Sequence, residues 1–188
     1  MNDHNLENEE EAIFELAKGK LTSDASKHSG EGIFFTSRAV NNFYIYSGEK
    51  VFKSHREKDM VEKHKFNNMK GTVVDLIIRK DSSLDFTELF KSYTDDDYNF
   101  NKTEIRIKMV ESFSDTLMSR SQAKRVVNRI EKFKTVTLDF SDVKIIGQGF
   151  ADEIFRIFLN KHPEIKINCI NCNSDVEFMI QRAKKTVL

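Results

Sequence analysis

The sequence predicts an α/β fold, in which a small antiparallel sheet with a hairpin precedes a parallel sheet flanked by helices. Between residues 104 and 188, short apolar runs alternate with amphipathic helical runs in the order βαβαβα. This alternation is typical of parallel strands joined by helical crossovers. Between residues 43 and 78, aromatic and β-branched runs flank the turn signal Ser47-Gly48, which indicates antiparallel pairing.

The composition fits a globular protein without a strong bias toward charged partners. Of the 188 residues, 39% are hydrophobic and 32% are charged, and the 30 basic and 30 acidic residues cancel. A neutral chain has no overall attraction to nucleic acid or to an anionic membrane. No apolar run approaches the roughly 20 residues that span a bilayer. Because residues 1–11 are acidic and polar, unlike a secretion signal, we expect a cytoplasmic protein.

The first half is predicted to contain two helices followed by three strands. Helical apolar spacing begins at residue 9, and a loop rich in Gly, Ser and Thr follows it. A charged stretch without clear periodicity, residues 54–70, is predicted to be a loop. The predicted helices are 9–18 and 32–40, and the predicted strands are 43–46, 50–53 and 72–78.

Residues 81–103 are predicted to be a linker. They carry the acidic run Asp95-Asp96-Asp97 and one short helical piece around Phe90. Runs of like charge are usually solvated and irregular. The predicted domains are therefore residues 1–80 and 104–188.

The second half shows the more regular pattern. Apolar residues recur at helical spacing in three segments, each of which follows a strand-like apolar run. The predicted strands are 104–110, 136–140 and 165–170, and the predicted helices are 121–133, 149–160 and 174–184.

The starts of the three helices form a candidate rim. In a parallel sheet each crossover helix begins at the carboxyl edge, where ligands usually bind. Helix amides there suit an anion, and Arg120 adds a bidentate donor. The alternative interpretation is ordinary capping by Ser119, Ser121 and Ser174. The rim residues are Ser119, Arg120, Ser121, Gln122, Gly147, Gln148, Gly149, Phe150 and Asn173.

The helix predicted over 149–160 is apolar on more than one side. Phe150, Ile157 and Leu159 lie outside its main apolar stripe, and Phe178 on the last helix is similar. Such a helix is either sandwiched between layers or carries a surface for a partner. The sequence leaves both interpretations open.

A glycine-containing run in the first half is a second candidate site. His28, Ser29, Gly30, Glu31 and Gly32 immediately precede or open a predicted helix. Glycines in this position let backbone N–H groups approach a phosphate. A turn without a ligand is the alternative.

Two cysteines, Cys169 and Cys172, have CxxC spacing. A zinc site needs about four ligands, and a redox CxxC usually opens a helix, whereas this one ends a strand. We therefore interpret them as buried thiols and predict no metal site. No pattern of catalytic residues is visible.

Basic residues on the helix predicted over 121–133 are a candidate nucleic-acid face. They are not interleaved with aromatic residues, and the whole chain is neutral, so a solvated face is the preferred interpretation. The residues are Lys124, Arg125, Arg129, Lys132 and Lys134.

Two parts of the chain, each through two short segments, resemble known families. Residues 20–24 (KLTSD) and 28–38 (HSGEGIFFTSR) resemble the ATP lid and second glycine box of histidine-kinase-like (GHKL) ATPases. Residues 119–125 (SRSQAKR) and 147–155 (GQGFADEIF) resemble a STAS-like domain of unknown function, which is found fused behind such ATPases in bacteria.

The resemblance implies a partial ATPase followed by a binding module. The adenine-reading Asp-x-Gly box and the Glu or Asn that holds magnesium are not in this sequence, so ATP and magnesium are expected only if other sequence completes the site. The loop at residues 146–150 has no hydroxyl, whereas related anti-sigma-factor antagonists carry a phosphorylated serine there.

We therefore expect a non-catalytic bacterial signalling protein that binds a protein partner through its STAS-like part. A homodimer is a further candidate. The alternatives are an ATP-binding regulator and a nucleic-acid adaptor, and no membrane partner is expected.

Overall fold

The chain forms two compact units, Met1–Phe100 and Asn101–Leu188. The computed structural model describes residues 6, 8–22, 24, 26–55, 58–63, 70–111 and 117–185. The first unit holds a four-stranded sheet and the second a three-stranded sheet, and helices accompany both. The predicted mixed α/β fold is confirmed. Within these residues, no helix combines the length and the apolar character that a bilayer crossing requires.

The first unit is built on an antiparallel sheet with the strand order β3-β2-β1-β4. Gly48 has a φ of 56°, the left-handed conformation that the two-residue turn between β1 and β2 requires. The predicted hairpin is therefore confirmed. The elements are α1 (Glu9–Lys18), α2 (Gly32–Ala39), β1 (Asn42–Ser47), β2 (Lys50–His55), β3 (Lys58–Lys63), β4 (Thr72–Ile77) and α3 (Phe86–Tyr93).

The core of the first unit lies between α2 and the middle of its sheet. α2 packs on β1 and β2, and Phe43 and Phe52 are buried there. Phe43 is opposite Ser54 in the antiparallel register and Ile45 is opposite Phe52, so these four side chains share one face of the sheet. β4 lies outside this core at the edge of the sheet, and all its residues are exposed.

The prediction that residues 54–70 form a loop was wrong for β3. This strand has the sequence KDMVEK, so its four charged residues hide the alternation that marks a strand. Two of those charges have partners within the first unit: Asp59 binds Arg38 of α2 at 3.1 Å, and Glu62 binds Lys53 of β2 at 2.6 Å. Residues 56–57 and 64–69 lie outside the described part of the chain.

The predicted linker belongs largely to the first unit. α3 lies within it and packs its aromatic side chains against α2. The ring centroids of Phe35 and Phe90 are 4.6 Å apart, and those of Phe34 lie 4.9 Å from Tyr93 and 4.7 Å from Phe100. This aromatic cluster places the boundary between residues 100 and 101, and not at residues 81–103.

The second unit is built on a parallel sheet with the order β5-β6-β7. The predicted alternation of strands and helices is confirmed, with one short extra helix after β5. The elements are β5 (Lys102–Arg106), α4 (Lys108–Glu111), α5 (Arg120–Val127), β6 (Thr135–Asp139), α6 (Gln148–Asp152), a π-helical segment (Glu153–Phe158), α7 (Leu159–Lys161), β7 (Lys166–Ile170) and α8 (Ser174–Lys185).

Two elements of this unit are shorter than predicted. β5 ends at Arg106, and the apolar residues after it form α4 instead of extending the strand to residue 110. α5 ends at Val127, because Arg129 takes a left-handed φ of 61°, and a 3₁₀ helix, Ile130–Lys132, follows. Only Lys124 and Arg125 of the predicted basic face therefore lie on α5, so one continuous basic helix is not formed.

The helix that begins at Gln148 is sandwiched, which explains the apolar Phe150, whereas Ile157 and Leu159 are half-buried. α6 and the π-helical segment pack against both α5 and α8. Phe150, one of the predicted rim residues, is buried, as are Ile154 and Phe155. Phe150 is therefore a core residue, and its side chain is not part of the exposed surface of the rim.

Candidate functional site

The loop between β6 and α6 is held against the start of α5. The Gly147 amide donates a hydrogen bond to the Leu117 carbonyl at 2.9 Å. A Cβ on Gly147 would lie only 2.6 Å from the Met118 carbonyl oxygen, so a glycine is required for this approach. At Gly149, the same carbonyl and the Arg120 side chain are the nearest groups. Two of the three predicted turns therefore meet.

The third turn is joined to the same loop by one side chain. The Asn173 amide group donates hydrogen bonds to the carbonyls of Val143 and Lys144, both at 2.9 Å. The Asn173 Oδ1 also accepts from the Val176 amide, so Asn173 caps α8, where we had expected Ser174. The three turns thus converge at the carboxyl edge of the sheet, with the β6–α6 loop in the middle.

A buried carboxylate organises the floor of this edge. Asp139, the last residue of β6, accepts at Oδ1 from the Ser141 amide, the Ser141 hydroxyl and the Asn171 side chain. Burial alone would raise the pKa of Asp139, but these hydrogen bonds and the nearby charge of Arg106 outweigh it and lower the pKa. Arg106 is itself bound to Asp142 at 2.8 Å. This network fixes the turns and leaves Asp139 ionised.

The start of α5 is a complete capping box. The Ser119 hydroxyl accepts from the Gln122 amide at 3.4 Å, and the Ser119 amide donates to the Gln122 side chain at 2.8 Å. The capping interpretation is therefore correct for Ser119, and Gln122 completes the box. Ser121 is not the cap, although its hydroxyl lies 2.8 Å from that of Ser119. Ser119, Arg120 and Ser121 are exposed.

The converging turns carry exposed apolar side chains that the sequence analysis largely missed. Met118 precedes α5, Ile145 lies in the β6–α6 loop, and Phe178 lies one turn into α8. These three, which we call the rim patch, are 49–64% exposed. Ile145 stands beside the buried Ile146, and no periodicity indicates which member of such a pair faces solvent. Only Phe178 had been singled out.

The predicted phosphate-binding residues lie in the first unit, next to the start of α2. Gly30 has a φ of 73°, and a Cβ there would lie 2.7 Å from the Leu21 carbonyl oxygen. Its carbonyl also accepts a hydrogen bond from the Lys20 amide at 3.0 Å. Gly30 is thus explained by local packing. His28 and Ser29 are exposed, and Gly32 opens α2 with free space around its Cα.

The two cysteines are free thiols at the end of β7 and in the turn after it. Burial, followed by the proximity of Cys172, raises the pKa of Cys169 to about 12. Burial and the charges of Glu177 and Asp139 also raise the pKa of Cys172. Both are half-buried and protonated at neutral pH, which does not suit a metal ligand or a redox nucleophile. No cluster of three metal-binding side chains occurs among the residues described.

Comparison with known proteins supports the interpretation of the second unit. The family model of a STAS-like domain of unknown function (DUF4325) matches residues 122–177, which extend from α5 into the first turn of α8. No curated protein and no solved structure matches the chain. The GHKL resemblance of residues 1–80 receives no support from these comparisons. The second half of the chain is therefore similar to a STAS-like domain, as predicted.

Proposed function

We propose that this protein is a non-catalytic regulator in bacterial signalling, which binds another protein through the rim patch of its STAS-like part. The observation that supports the proposal is the exposure of Met118, Ile145 and Phe178 on three turns that hydrogen bonds hold together. Large apolar side chains on a rigid polar surface are typical anchors of protein interfaces. They are also costly to leave in water unless a partner covers them.

The surroundings of the patch favour a protein over a small anion. The hydroxyl and amide groups at the start of α5 are engaged in the capping box, so fewer donors remain there for an anion. The exposed Ser119, Arg120 and Ser121 form a polar border beside Met118. An apolar centre with a polar border is the usual arrangement of a protein interface.

Site-specific photo-cross-linking in cells tests this proposal. A benzophenone amino acid placed at residue 145 or residue 178 is expected to capture the same partner. The matched control is Lys161, which is exposed at the far end of the helix that begins at the rim, about 20 Å away. Capture at residue 161 that equals capture at the rim would contradict the proposal.

Substitutions give the second arm of the test. Ile145→Glu and Phe178→Glu should each reduce capture from the other position about tenfold or more, because each removes an interface anchor. Tyr98→Glu, a change at a still more exposed side chain in the first unit, should leave capture unchanged. Unchanged melting temperatures would show that the losses arise at the surface and not from unfolding.

An ATP-binding role for the first unit is the second candidate. It draws on the exposure of His28, Ser29 and Gly32 at the start of α2, where Glu31 makes no side-chain capping bond. Helix amides without such a cap can bind a phosphate. Calorimetry with magnesium and ATP should then show binding that Gly32→Asp abolishes, because the added carboxylate meets no steric obstacle but repels phosphate. Equal heats for both proteins would exclude this role.

A further inference from the structure

β4 is an unprotected apolar edge. It is the last strand of the four-stranded sheet, paired with β1 alone among the described strands. Five aliphatic side chains in or beside it are 41–69% exposed: Val73, Val74, Leu76, Ile77 and Ile78. Sheet edges in natural proteins are normally blunted by charges, prolines or a covering element, because a bare edge pairs with other strands. β4 has one charged residue, Asp75, and no proline.

The free backbone groups of this edge can be identified. The Ile77 carbonyl accepts from the Asn41 amide, and the Arg79 amide donates to the Asn41 side chain, so residues 77 and 79 face β1. Backbone polar groups alternate in direction along a strand, as the side chains do. The amides and carbonyls of residues 74, 76 and 78 therefore point away from the sheet, available to another strand.

We propose that residues 75–79, which are the end of β4 and the two residues after it, pair antiparallel with the same residues of a second copy of this chain, with the two-fold axis at Ile77. The charged residues near the edge favour a second copy of this chain as the partner, and they also determine which residues lie opposite each other. Asp75 and Arg79 are the charged residues between positions 72 and 79, and each lies two positions from Ile77. Symmetric pairing about Ile77 therefore places each Asp75 opposite the Arg79 of the other copy, on the same face as the Ile77 pair.

Competing registers do not give this complementarity. A two-fold axis at Asp75 would oppose two carboxylates, and one at Leu76 would oppose Asp75 to Ile77. Like charges directly opposite each other destabilise a strand pair. Pairing about Ile77 also sets Leu76 against Ile78, whose outward backbone groups can exchange both ladder hydrogen bonds.

One existing contact competes with the proposed pair. Arg79 binds Asp81 at 2.9 Å within the same chain, but both side chains are about two-thirds exposed. An exposed ion pair of this kind contributes little and is readily exchanged. The inference is independent of the rim patch, since β4 lies in the first unit and the patch in the second.

Charge exchange tests the register in the full-length protein by analytical ultracentrifugation. Wild type is expected to dimerise, and Asp75→Arg or Arg79→Asp alone should weaken dimerisation about tenfold, because each opposes like charges twice. The double variant with both changes should restore it. Asp81→Asn, the control, should leave the dimer unchanged or tighter. A monomeric wild type would overturn the proposal. It would favour the alternative that β4 pairs with a strand of a different protein.

Cross-linking tests the geometry separately. In a Cys169→Ser, Cys172→Ser background, Ile77→Cys places two thiols directly opposite in a non-hydrogen-bonded pair, with Cβ atoms about 4.5 Å apart, which a disulfide can span. Val73→Cys is the matched control: its two copies would be eight residues apart, about 27 Å. Mild oxidation should link the first variant and not the second. Equal or better linking through residue 73 would overturn the register.

Discussion

Single glycines decide whether the three turns of the second unit can meet. The Gly147 backbone has an ordinary φ of −80°, so the glycine is needed for space and not for conformation. Its nearest neighbours are the carbonyl oxygen and Cα of Met118, which are backbone atoms and cannot rotate aside. The sequence contains two glycines at the start of a predicted helix. It does not show why Gly147 must be a glycine, because the Met118 backbone that it approaches lies almost 30 residues away.

Gly147→Ala is therefore expected to destabilise the second unit by about 1–3 kcal/mol, the usual cost of forcing atoms into a packed site. Gly149→Ala is the milder comparison: its Cβ would lie 3.3 Å from the Met118 oxygen, which requires a shift of a few tenths of an ångström, and the helix preference for alanine offsets this cost. Its free energy of unfolding should change by less than about 0.5 kcal/mol. Urea unfolding followed by far-UV circular dichroism measures both. Equal losses would contradict the steric argument.

The raised pKa of Cys169 gives a residue-scale prediction with a definite sign. Between its ordinary value of 9.0 and about 12, the folded protein holds a proton that the unfolded chain releases. The contribution of protonated Cys169 to the free energy of unfolding is complete below pH 9 and is lost as the pH rises toward 12. Wild type should therefore lose stability faster than Cys169→Ala over this range. A constant difference between the two unfolding free energies would contradict it.

The raised pKa of Cys169 also predicts that its thiol is alkylated slowly. At pH 8, Cys169 should react with iodoacetamide about 1000-fold more slowly than an ordinary thiol, because the thiolate is the reacting form. Peptide mapping can resolve it from Cys172. Guanidinium should restore the ordinary rate, which would show that the fold and not the local sequence raises the pKa.

At the scale of elements, the sequence predicted which helices and strands exist better than where they end. Helical and strand periodicity located α1, α2, α5, α8 and six of the seven strands. It failed for β3, two of whose charges form ion pairs with α2 and β2, and for the end of α5, which depends on one left-handed residue, Arg129. Neither an ion pair with a distant residue nor a single backbone angle leaves a periodic signal.

The junction of α3 with α2 is the element-scale contact that the predicted linker concealed. Phe100 is buried against Phe34 and Phe35, whereas Tyr98, two residues earlier, is exposed. Phe100→Ala should cost the first unit about 3–5 kcal/mol through lost burial and a cavity. Tyr98→Ala should change stability by less than about 0.5 kcal/mol. Thermal unfolding of the full chain compares them, and similar melting temperatures would refute the packing.

For the whole molecule, the fold class and the convergence at the carboxyl edge could be predicted, but the composition of the edge could not. Parallel topology alone places the three helix starts together. Which side chains then face solvent depends on packing: Phe150 turned inward because its helix lies between α5 and α8, and Ile145 turned outward because Ile146 fills the core. Apolar character by itself predicts neither direction.

The domain boundary provides the last prediction, because the sequence and the structure place it differently. Cutting at residues 80 and 104 would remove α3 and Phe100 from the first unit. It would also take Thr103, which is buried in β5, from the second, together with Asn101, whose carbonyl accepts from the Lys134 and Thr135 amides.

Fragments 1–100 and 101–188 should therefore each unfold cooperatively, since each keeps its own core and sheet. Fragments 1–80 and 104–188 should melt at least several degrees lower, or lack a transition, because they lose buried side chains worth about 2–5 kcal/mol each. Calorimetry of the four fragments distinguishes the boundaries. A stable, cooperative 1–80 would mean that the aromatic cluster of α2 and α3 is dispensable and would move the boundary to a position before α3.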